Sequence, residues 1–325
     1  MGMLGMHGTY QANMAMHNAD VIIAIGARFD DRITNTPSLF SPKARIIHID
    51  VDPASISKII NADIPIVGQV KESISALIKE IKRSKLKIDS DALDEWNSQI
   101  STWRAKHGLD HELYLKKNKS KMILPQVVVQ ELYHATNGNA WVTSDVGQHQ
   151  MFVAQYYHFN KPRRWVNSGG LGTMGFGLPA AMGVKLAFPK DEVVCVTREC
   201  SIQMSIQELS TCLQYNLPIK IININNEALG MVRQWQDMNY GGRHSASTYS
   251  DSLPDFVKLT QSYGHVGLKV TKKSQLKKTL EKAFAMKDRL VFVDVYVDPN
   301  EHVYPMLVAP NGSMKDMWIS KNTNA

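Results

Sequence analysis

Two side chains that could bind a metal ion together follow closely after two apolar segments of the sequence. Glu199 follows Val193–Thr197, and Asn226 follows Ile219–Ile224. Both segments are rich in β-branched residues, which is typical of buried strands. The carboxyl ends of parallel strands meet at one edge of a sheet, where open α/β sheets bind ligands, and carboxylate and amide oxygens suit Mg²⁺ and hence a diphosphate. The alternative is that Glu199 is a solvated turn residue and Asn226 a strand cap, and the spacing taken alone favours that alternative.

The residues around this pair predict the elements that would position it. Ser201–Tyr215 carries apolar residues at mostly helical spacing, and Pro218 ends that helix. Strands and helices alternate over residues 122–299, which predicts a parallel doubly wound sheet. The predicted first helix is Met122–Tyr133, and the predicted strands are Ala140–Thr143, Trp165–Asn167, Val193–Thr197, Ile219–Ile224 and Val291–Val297.

The first 85 residues predict another domain of the same class. Its apolar strands are Val21–Ile25, Arg45–Asp50 and Ile64–Val67. Doubly wound sheets usually have about five or six strands, so we expect this domain to be incomplete. The highly charged residues 86–121 favour an exposed linker. The predicted fold class is therefore α/β, with two Rossmann-like, doubly wound parallel-sheet domains at 1–85 and 122–325.

Composition narrows the class of protein. The chain has 325 residues, of which 44% are hydrophobic, so it can form two domains with sizeable cores. It contains no apolar run of about 18 residues, and its first twenty residues lack the pattern of a signal peptide, so we expect neither a signal peptide nor membrane association. Its three cysteines fit no metal spacing, which favours reduced thiols and a cytoplasmic location. The net charge of +7 lies largely in two lysine-rich clusters without a nucleic-acid motif, so we expect no nucleic-acid partner.

Three other segments suit ligand binding, and each also has a simpler interpretation. The turn Gly26–Arg32 could offer N–H groups and arginines to a diphosphate, or be a charged loop tip. His149, after the strand Ala140–Thr143, is more often a packed helix-start histidine than a catalyst. Asn167–Gly177 holds five glycines, which allow backbone to approach a ligand or permit tight packing. Met174, which lies in this segment, taken alone indicates a side chain that fills the hydrophobic core.

Several long motifs nevertheless point to a family. NSGGLGTMGFGLPAAMG, SIQMSIQELST, LGMVRQWQDM, MGMLGMHGTYQANMAMHNAD and IGARFDDR resemble the large catalytic subunit of acetolactate synthase (acetohydroxyacid synthase), a thiamine-diphosphate enzyme. The resemblance implies decarboxylation of pyruvate and condensation with pyruvate or 2-ketobutyrate, the first common step of valine and isoleucine synthesis. It implies thiamine diphosphate, Mg²⁺ and a structural FAD as cofactors. Another thiamine-diphosphate carboligase or oxidase is an alternative, against which Trp235 argues.

The resemblance also implies roles for individual residues. The thiamine-diphosphate residues would be Val146, Gly147, Gln148, His149, Gly172, Met174, Ser201, Gly230 and Met231. The metal ligands would be Glu199, Asn226 and the backbone of Ala228. The FAD residues would be Gly5, Met6, His7, Gly26, Ala27, Arg28, Asp30, Arg32, Asp50 and Val51. The second substrate would meet Arg32, Met231 and Trp235.

Two departures from the family pattern affect cofactor binding. The family's Gly-Asp-Gly is here Arg198-Glu199-Cys200, so the carboxylate ligand is longer and two glycines of a phosphate-binding turn are replaced. If either position requires a positive φ, the turn is strained, and glycine, aspartate and glycine at 198–200 would restore affinity. Arg198 could instead pair with a phosphate oxygen. One FAD contact is also altered, because a Gly-Asp pair is here Gly68-Gln69.

The resemblance further suggests that the chain begins inside the family's second domain. The glutamate that activates thiamine diphosphate across a dimer lies in an N-terminal domain of the family, and no residue of this sequence can be assigned its role. We therefore expect the chain to be inactive alone, and a non-catalytic binding chain is the alternative function. The expected partners are 2-keto acids, a second copy or a full-length large subunit, and a regulatory small subunit.

Overall fold

The computed structural model describes residues 1–109, 120–249, 251–307 and 312–320 and the backbone of 323–324. The chain forms two compact units, Met1–Leu109 with Tyr304–Ala325, and Asp110–Val303. Both units contain parallel sheets connected through helices, which confirms the predicted α/β class. No helix among the described residues is long and apolar enough to cross a membrane.

The first unit contains a three-stranded parallel sheet in the order β1-β2-β3. Its strands have the predicted bounds, β1 (Val21–Ile25), β2 (Arg45–Asp50) and β3 (Ile64–Val67). Its helices are α1 (Tyr10–Asn18), α2 (Asp31–Thr34), α3 (Val70–Ser84) and α4 (Ser90–His107). Alternation along β1 turns Ile22 and Ala24 towards a core that also contains Ile46, whereas Val21, Ile23 and Ile25 are exposed.

The predicted linker 86–121 differs from the structure, because part of it is a helix of the first unit. Asp89 caps α4 by accepting a hydrogen bond from the N–H of Ala92 at 3.0 Å. At the other end of α4, the ring of His107 packs edge-on against the ring of Tyr10, with centroids 4.8 Å apart. None of the residues of α4 is buried, which explains its charged composition. Residues 110–119 lie outside the described ranges.

The second unit contains a six-stranded parallel sheet in the order β5-β4-β6-β7-β9-β8. Its strands are β4 (Trp141–Ser144), β5 (Trp165–Asn167), β6 (Val193–Thr197), β7 (Lys220–Asn225), β8 (Val266–Val270) and β9 (Val291–Tyr296). Its helices are α5 (Pro125–Thr136), α6 (Gln148–Tyr156), α7 (Gly177–Ala187), α8 (Glu199–Gln203), α9 (Glu208–Gln214), α10 (Gly230–Asn239), α11 (Phe256–Ser262) and α12 (Lys273–Ala285). The central strands β6 and β7 are buried along their whole length.

The direction of strand addition reverses between β4 and β6. From β4 the chain adds β5 on one side and then crosses back to add β6 on the other. Open α/β sheets bind ligands at such a switch point, beyond the carboxyl ends of the strands. The loops that start there contain Asp145 after β4, Arg198 after β6 and Asn226 after β7. The topology therefore brings the predicted Glu199 and Asn226 to one edge of the sheet, together with Asp145.

The second unit differs from prediction in three places. The predicted helix Ser201–Tyr215 is two helices, α8 and α9, interrupted at residues 204–207. The edge strand β8, which is mostly half-exposed, was not predicted. Residues 304–325, predicted to end the second domain, belong to the first unit. There β10 (Met306–Leu307), β11 (Met317–Ser320) and β12 (Thr323–Asn324) form an antiparallel sheet.

Candidate functional site

Asp145 joins three segments at the switch point. Its backbone N–H donates to the carbonyl of Val196 at 2.9 Å, which continues the pairing of β4 with β6. One carboxylate oxygen accepts from the N–H of Gly175 at 2.7 Å, and the other accepts from the hydroxyl of Thr197 at 3.2 Å. Burial raises the pKa of Asp145, and these hydrogen bonds oppose the rise. Asp145 thereby fixes the glycine-rich loop against the ends of β4 and β6.

Glu199 is fully buried at the start of α8 and reaches the loop that follows β7. Its Oε1 accepts a hydrogen bond from the N–H of Ala228 at 3.0 Å, and its Oε2 is buried without a protein partner. Burial raises the pKa of Glu199 to about 7, against the charge of Arg198 and the N–H groups of Ala228 and Asn226. The extra methylene of glutamate is thus accommodated by anchoring one oxygen, which leaves the other for a ligand.

Asn226 and Ala228 complete a set of oxygen donors around this carboxylate. Asn226 is 2% exposed, and neither Oδ1 nor Nδ2 of its side chain has a partner. Ala228 forms an isolated antiparallel bridge with Thr248. The backbone hydrogen bonds on either side of this bridge are made by Glu227 and Leu229, not by Ala228 itself. The N–H and carbonyl of Ala228 therefore face away from the bridge, where the N–H meets Glu199. A carboxylate, an amide and a carbonyl oxygen match the preference of Mg²⁺, so these residues fit that ion.

Arg198 has an unstrained backbone and a buried side chain. Its φ of −133° is extended, and Cys200 is not among the residues of positive φ. The explanation of weakened binding by a strained turn is therefore wrong for both positions. The guanidinium donates from Nε to the carbonyl of Ile224 at 3.2 Å and from Nη1 to Oε1 of Gln148 at 2.9 Å. Its Nη2 is buried without a protein partner.

A hydrogen-bond network that the sequence analysis missed orients Gln148. Its Nε2 donates to Oε1 of Gln234 at 2.8 Å, and Nε2 of Gln234 donates to the carbonyl of Val303 at 3.0 Å. His302 meets Oδ2 of Asp237 through Nε2 at 2.7 Å. Gln234 and Asp237 are three residues apart on α10, a spacing that places them on the same side of the helix, but the sequence held no signal for their partners.

The remaining residues predicted for thiamine diphosphate lie mostly around the same edge. The hydroxyl of Ser201 donates to the carbonyl of Val146 at 3.2 Å. Gly147 has a φ of 142° before α6, and a methyl group on Gly172 would lie 3.9 Å from Val146. Burial, together with the charge of Arg198, holds the pKa of His149 well below its usual value. Met174 is half-buried beside Gly175, the residue that contacts Asp145.

Of the residues predicted to meet substrate, Met231 and Trp235 lie in the second unit and Arg32 in the first. Met231 and Trp235 are four residues apart on α10, so they share one side of the helix, and both are half-buried. Arg32 is exposed on α2, 3.6 Å from Asp31. These positions make all three accessible to a ligand.

The residues predicted for FAD gather at the carboxyl ends of the strands of the first unit. The N–H of Gly26 donates to Ile49 at 2.8 Å, and the N–H of Gly68 donates to Asp50 at 2.9 Å, which joins the loops after β1, β2 and β3. Gly26 has a φ of 61°, and a methyl group there would meet nothing within 4 Å. The other members of this group are Gly5, Met6, His7, Ala27, Arg28, Asp30, Arg32 and Val51.

Two contacts explain how this group is held. The N–H of Met6 donates to the carbonyl of Arg32 at 2.7 Å, which attaches Gly5, Met6 and His7 to the loop after β1. Arg28 pairs with Asp30 at 2.8 Å, and Asp30 caps α2 by accepting from the N–H of Arg32. A loop with open space and two arginines beyond a parallel sheet suits a nucleotide diphosphate.

Two parts of the chain match domains of a known enzyme family. Residues 145–295 match the family model of the C-terminal TPP binding domain of thiamine pyrophosphate enzymes, and residues 1–77 match the family model of their central domain. The chain belongs to the thiamine pyrophosphate enzyme family, and residues 145–295 contain the predicted metal and thiamine-diphosphate residues.

Within this family the chain is similar to acetolactate synthase large subunits, as predicted. It is 55% identical over 323 residues to the acetolactate synthase isozyme 3 large subunit of Escherichia coli (strain K12), covering 99% of this chain and 55% of that protein. It is 57% identical over 321 residues to the large subunit of Buchnera aphidicola subsp. Schizaphis graminum (strain Sg), covering 98% of this chain and 54% of that protein. The chain therefore spans about half the length of the curated relatives it matches.

Proposed function

We propose that this chain binds thiamine diphosphate with Mg²⁺ at the switch point of its second unit and serves an acetolactate synthase reaction. That reaction decarboxylates pyruvate and condenses the remaining hydroxyethyl fragment with pyruvate or 2-ketobutyrate, as the first common step of branched-chain amino acid synthesis. One observation carries the proposal. Arg198, Glu199 and Asn226 are each at most 4% exposed and each keep a side-chain polar atom without a protein partner. Burying such an atom costs about 1–3 kcal/mol, so three of them at one edge indicate a ligand-binding role.

The metal would be held by Glu199, Asn226 and the carbonyl of Ala228. Thiamine diphosphate, when bound, supplies the carbon nucleophile for decarboxylation and condensation. The residues of the chain hold its diphosphate through the loops after β4 and β6. Asp145 fixes the glycine-rich loop beside it through the N–H of Gly175. Gly147, with its φ of 142°, lets the backbone turn into α6 close to this edge.

FAD would be bound by the first unit and serve a structural role. The loop after β1 supplies Gly26, with open space above its Cα, and Arg28, and the following helix α2 supplies Arg32. A dinucleotide diphosphate there would be bound by backbone N–H groups and guanidinium groups. Met231 and Trp235 would contact the second 2-keto acid, with Trp235 favouring 2-ketobutyrate.

The partners follow from the same family. The chain would work in the cytoplasm as a homodimer, or together with a full-length large subunit, and with a regulatory small subunit. A second copy or a longer subunit is favoured by large apolar side chains at the surface of the second unit, because exposed apolar patches mark interaction sites. Among them are Leu171, 94% exposed, and Leu186, 61% exposed.

Calorimetric titration of thiamine diphosphate with Mg²⁺ into the purified chain tests the proposal. We expect saturable binding, and we expect Glu199→Gln to weaken it by about three- to tenfold, since a charged metal ligand is lost. Glu192→Gln is the matched control, because Glu192 pairs with Lys287 before β6, at the opposite end of the strand. Absence of binding in the wild-type chain would contradict the proposal.

A colorimetric acetolactate assay with pyruvate, FAD and the same cofactors then separates two roles. Turnover by the chain alone would show that it carries the complete reaction. Cofactor binding without turnover would favour a chain that needs a full-length large subunit for catalysis. Adding a full-length relative to the assay and measuring turnover above that of the relative alone tests this second role.

A further inference from the structure

Arg198 places a buried positive charge directly at the edge where the cofactor diphosphate would bind. The residue is 4% exposed and directly follows β6, with Glu199 beside it. Burial lowers the pKa of Arg198, and the neighbouring negative charge of Glu199 opposes this. A buried cation is stable only when it is paired and hydrogen-bonded. Arg198 therefore requires hydrogen-bond acceptors and a counter-charge at this position.

The protein satisfies only part of the guanidinium. Nε and Nη1 donate to Ile224 and Gln148, whereas Nη2 is buried without a partner. Arginine has five N–H donors in a fixed planar arrangement that matches phosphate oxygens. The two bonds that are made hold the plane of the guanidinium in place. Nη2 is therefore a preorganised donor with no protein acceptor.

The surroundings of the guanidinium are those of the predicted cofactor site. Nη1 binds Gln148, a residue predicted to contact thiamine diphosphate. A methyl group added to Gly230, another of those residues, would overlap Nη1 of Arg198 and Oε1 of Gln148. The start of α10 thus approaches the guanidinium as closely as a glycine permits. This contact places Nη2 beside the residues that would surround the diphosphate.

We propose that Arg198 is a diphosphate ligand of this chain and supplies part of the charge neutralisation that Mg²⁺ provides. This inference rests on the proposed function and deepens it. An arginine–phosphate bond is charge-assisted and about twice as strong as a neutral hydrogen bond. The bound diphosphate also gives the buried cation the counter-charge that Glu199 alone provides in the free protein. Thiamine diphosphate should therefore bind this chain with less dependence on Mg²⁺ than it binds a variant with glycine at position 198.

Calorimetry with thiamine diphosphate and with inorganic pyrophosphate, each in Mg²⁺ and in EDTA, tests the inference without any activity measurement. The wild-type chain should bind both in EDTA, and Mg²⁺ should improve its affinity by less than about tenfold. Arg198→Gly and Arg198→Met should lose about 10- to 100-fold in EDTA, the value of one hydrogen bond to a charged group. Mg²⁺ should recover most of that loss.

Arg164→Met is the matched control, because Arg164 is also a largely buried arginine of this unit but pairs with Asp191, ahead of β6. It should leave the ratio of affinities in Mg²⁺ and EDTA unchanged. Circular dichroism establishes that each variant is folded, and the Mg²⁺/EDTA ratio of the wild-type chain tests the inference without any variant.

The outcomes distinguish this inference from the function on which it rests. If the wild-type chain binds thiamine diphosphate only with Mg²⁺, or if Arg198→Gly binds it more tightly in EDTA than the wild type, Arg198 is not a diphosphate ligand and the proposed function stands. If the wild-type chain binds neither ligand under any condition, both proposals are wrong. Binding in EDTA that falls in both Arg198 variants and not in Arg164→Met supports the inference.

Discussion

Replacing Asn226 with leucine should stabilise the ligand-free chain, although Asn226 is a proposed metal ligand. Asn226 is 2% exposed, and neither polar atom of its side chain has a partner. Leucine has the same branching and number of side-chain heavy atoms and needs no hydrogen bonds, so the substitution removes an unsatisfied group worth about 1–3 kcal/mol. For a unit of this size, that corresponds to a rise in melting temperature of about 2–10 °C.

Asn225→Leu is the matched control, one residue earlier and at the end of the buried strand β7. Nδ2 of Asn225 donates to Oδ1 of Asp294 at 3.1 Å, and its Oδ1 accepts from the N–H of Glu227 at 3.2 Å. Its loss breaks a hydrogen bond to a buried carboxyl, so it should destabilise the chain by about 1.5–3 kcal/mol. The two leucine variants should therefore shift stability in opposite directions.

Thermal unfolding in EDTA, followed by circular dichroism, measures both variants against the wild type. A second scan with thiamine diphosphate and Mg²⁺ should raise the melting temperature of the wild-type chain by more than that of Asn226→Leu, because a ligand that binds more tightly stabilises the native state more. If Asn226→Leu destabilises the chain as much as Asn225→Leu does, Asn226 has a structural role and the reasoning is refuted.

Three further predictions follow from other parts of the molecule. Gly230→Ala should destabilise the second unit by about 2–4 kcal/mol in urea unfolding, because the added methyl group would overlap Arg198 and Gln148. Gly183→Ala in α7 is the control and should be neutral or stabilising, because a methyl group there meets nothing within 4 Å; equal effects of the two substitutions would contradict the contact at Gly230. Burial lowers the pKa of His7 to about 4, below its unfolded value of about 6.5, so the stability due to neutral His7 is complete above pH 6.5 and is lost as the pH falls towards 4. The free energy of unfolding, measured by urea titration across this range, should fall by about 3 kcal/mol more in the wild type than in His7→Gln, and parallel curves would be the contrary result. Light scattering should find dimers or larger species, because side chains such as Leu171 expose apolar surface, and a monomer that binds no hydrophobic dye would oppose this.

The strands could be predicted from the sequence because their local signals are strong. The bounds of β1, β2, β3, β5 and β6 are the predicted ones, since each is a short apolar run with turn residues beside it. The break between α8 and α9 carries neither glycine nor proline, and Ile202 and Leu209 on either side of it are both buried, so helical periodicity continues across it. Strand β8 lacked the continuous burial that marks a central strand.

The candidate site was predictable in its residue types and not in its contacts. Glu199 and Asn226 were selected because they follow neighbouring strands of a parallel sheet, which topology alone brings together. That the longer glutamate anchors one oxygen on the N–H of Ala228 depends on the path of the loop after β7. The same holds for Arg198, whose extended backbone and bonds to Ile224 and Gln148 replace the strain expected from a lost glycine.

A crystal structure of the chain with thiamine diphosphate and Mn²⁺ in place of Mg²⁺ tests the central claim most directly. The anomalous signal of Mn²⁺ locates the ion independently of the protein model. We predict one anomalous peak, from an ion coordinated by Oε2 of Glu199, Oδ1 of Asn226 and the carbonyl of Ala228. We predict that the diphosphate accepts a hydrogen bond from Nη2 of Arg198. A peak elsewhere, or a diphosphate bound away from the carboxyl ends of β4, β6 and β7, would contradict the assignment of this edge as the cofactor site.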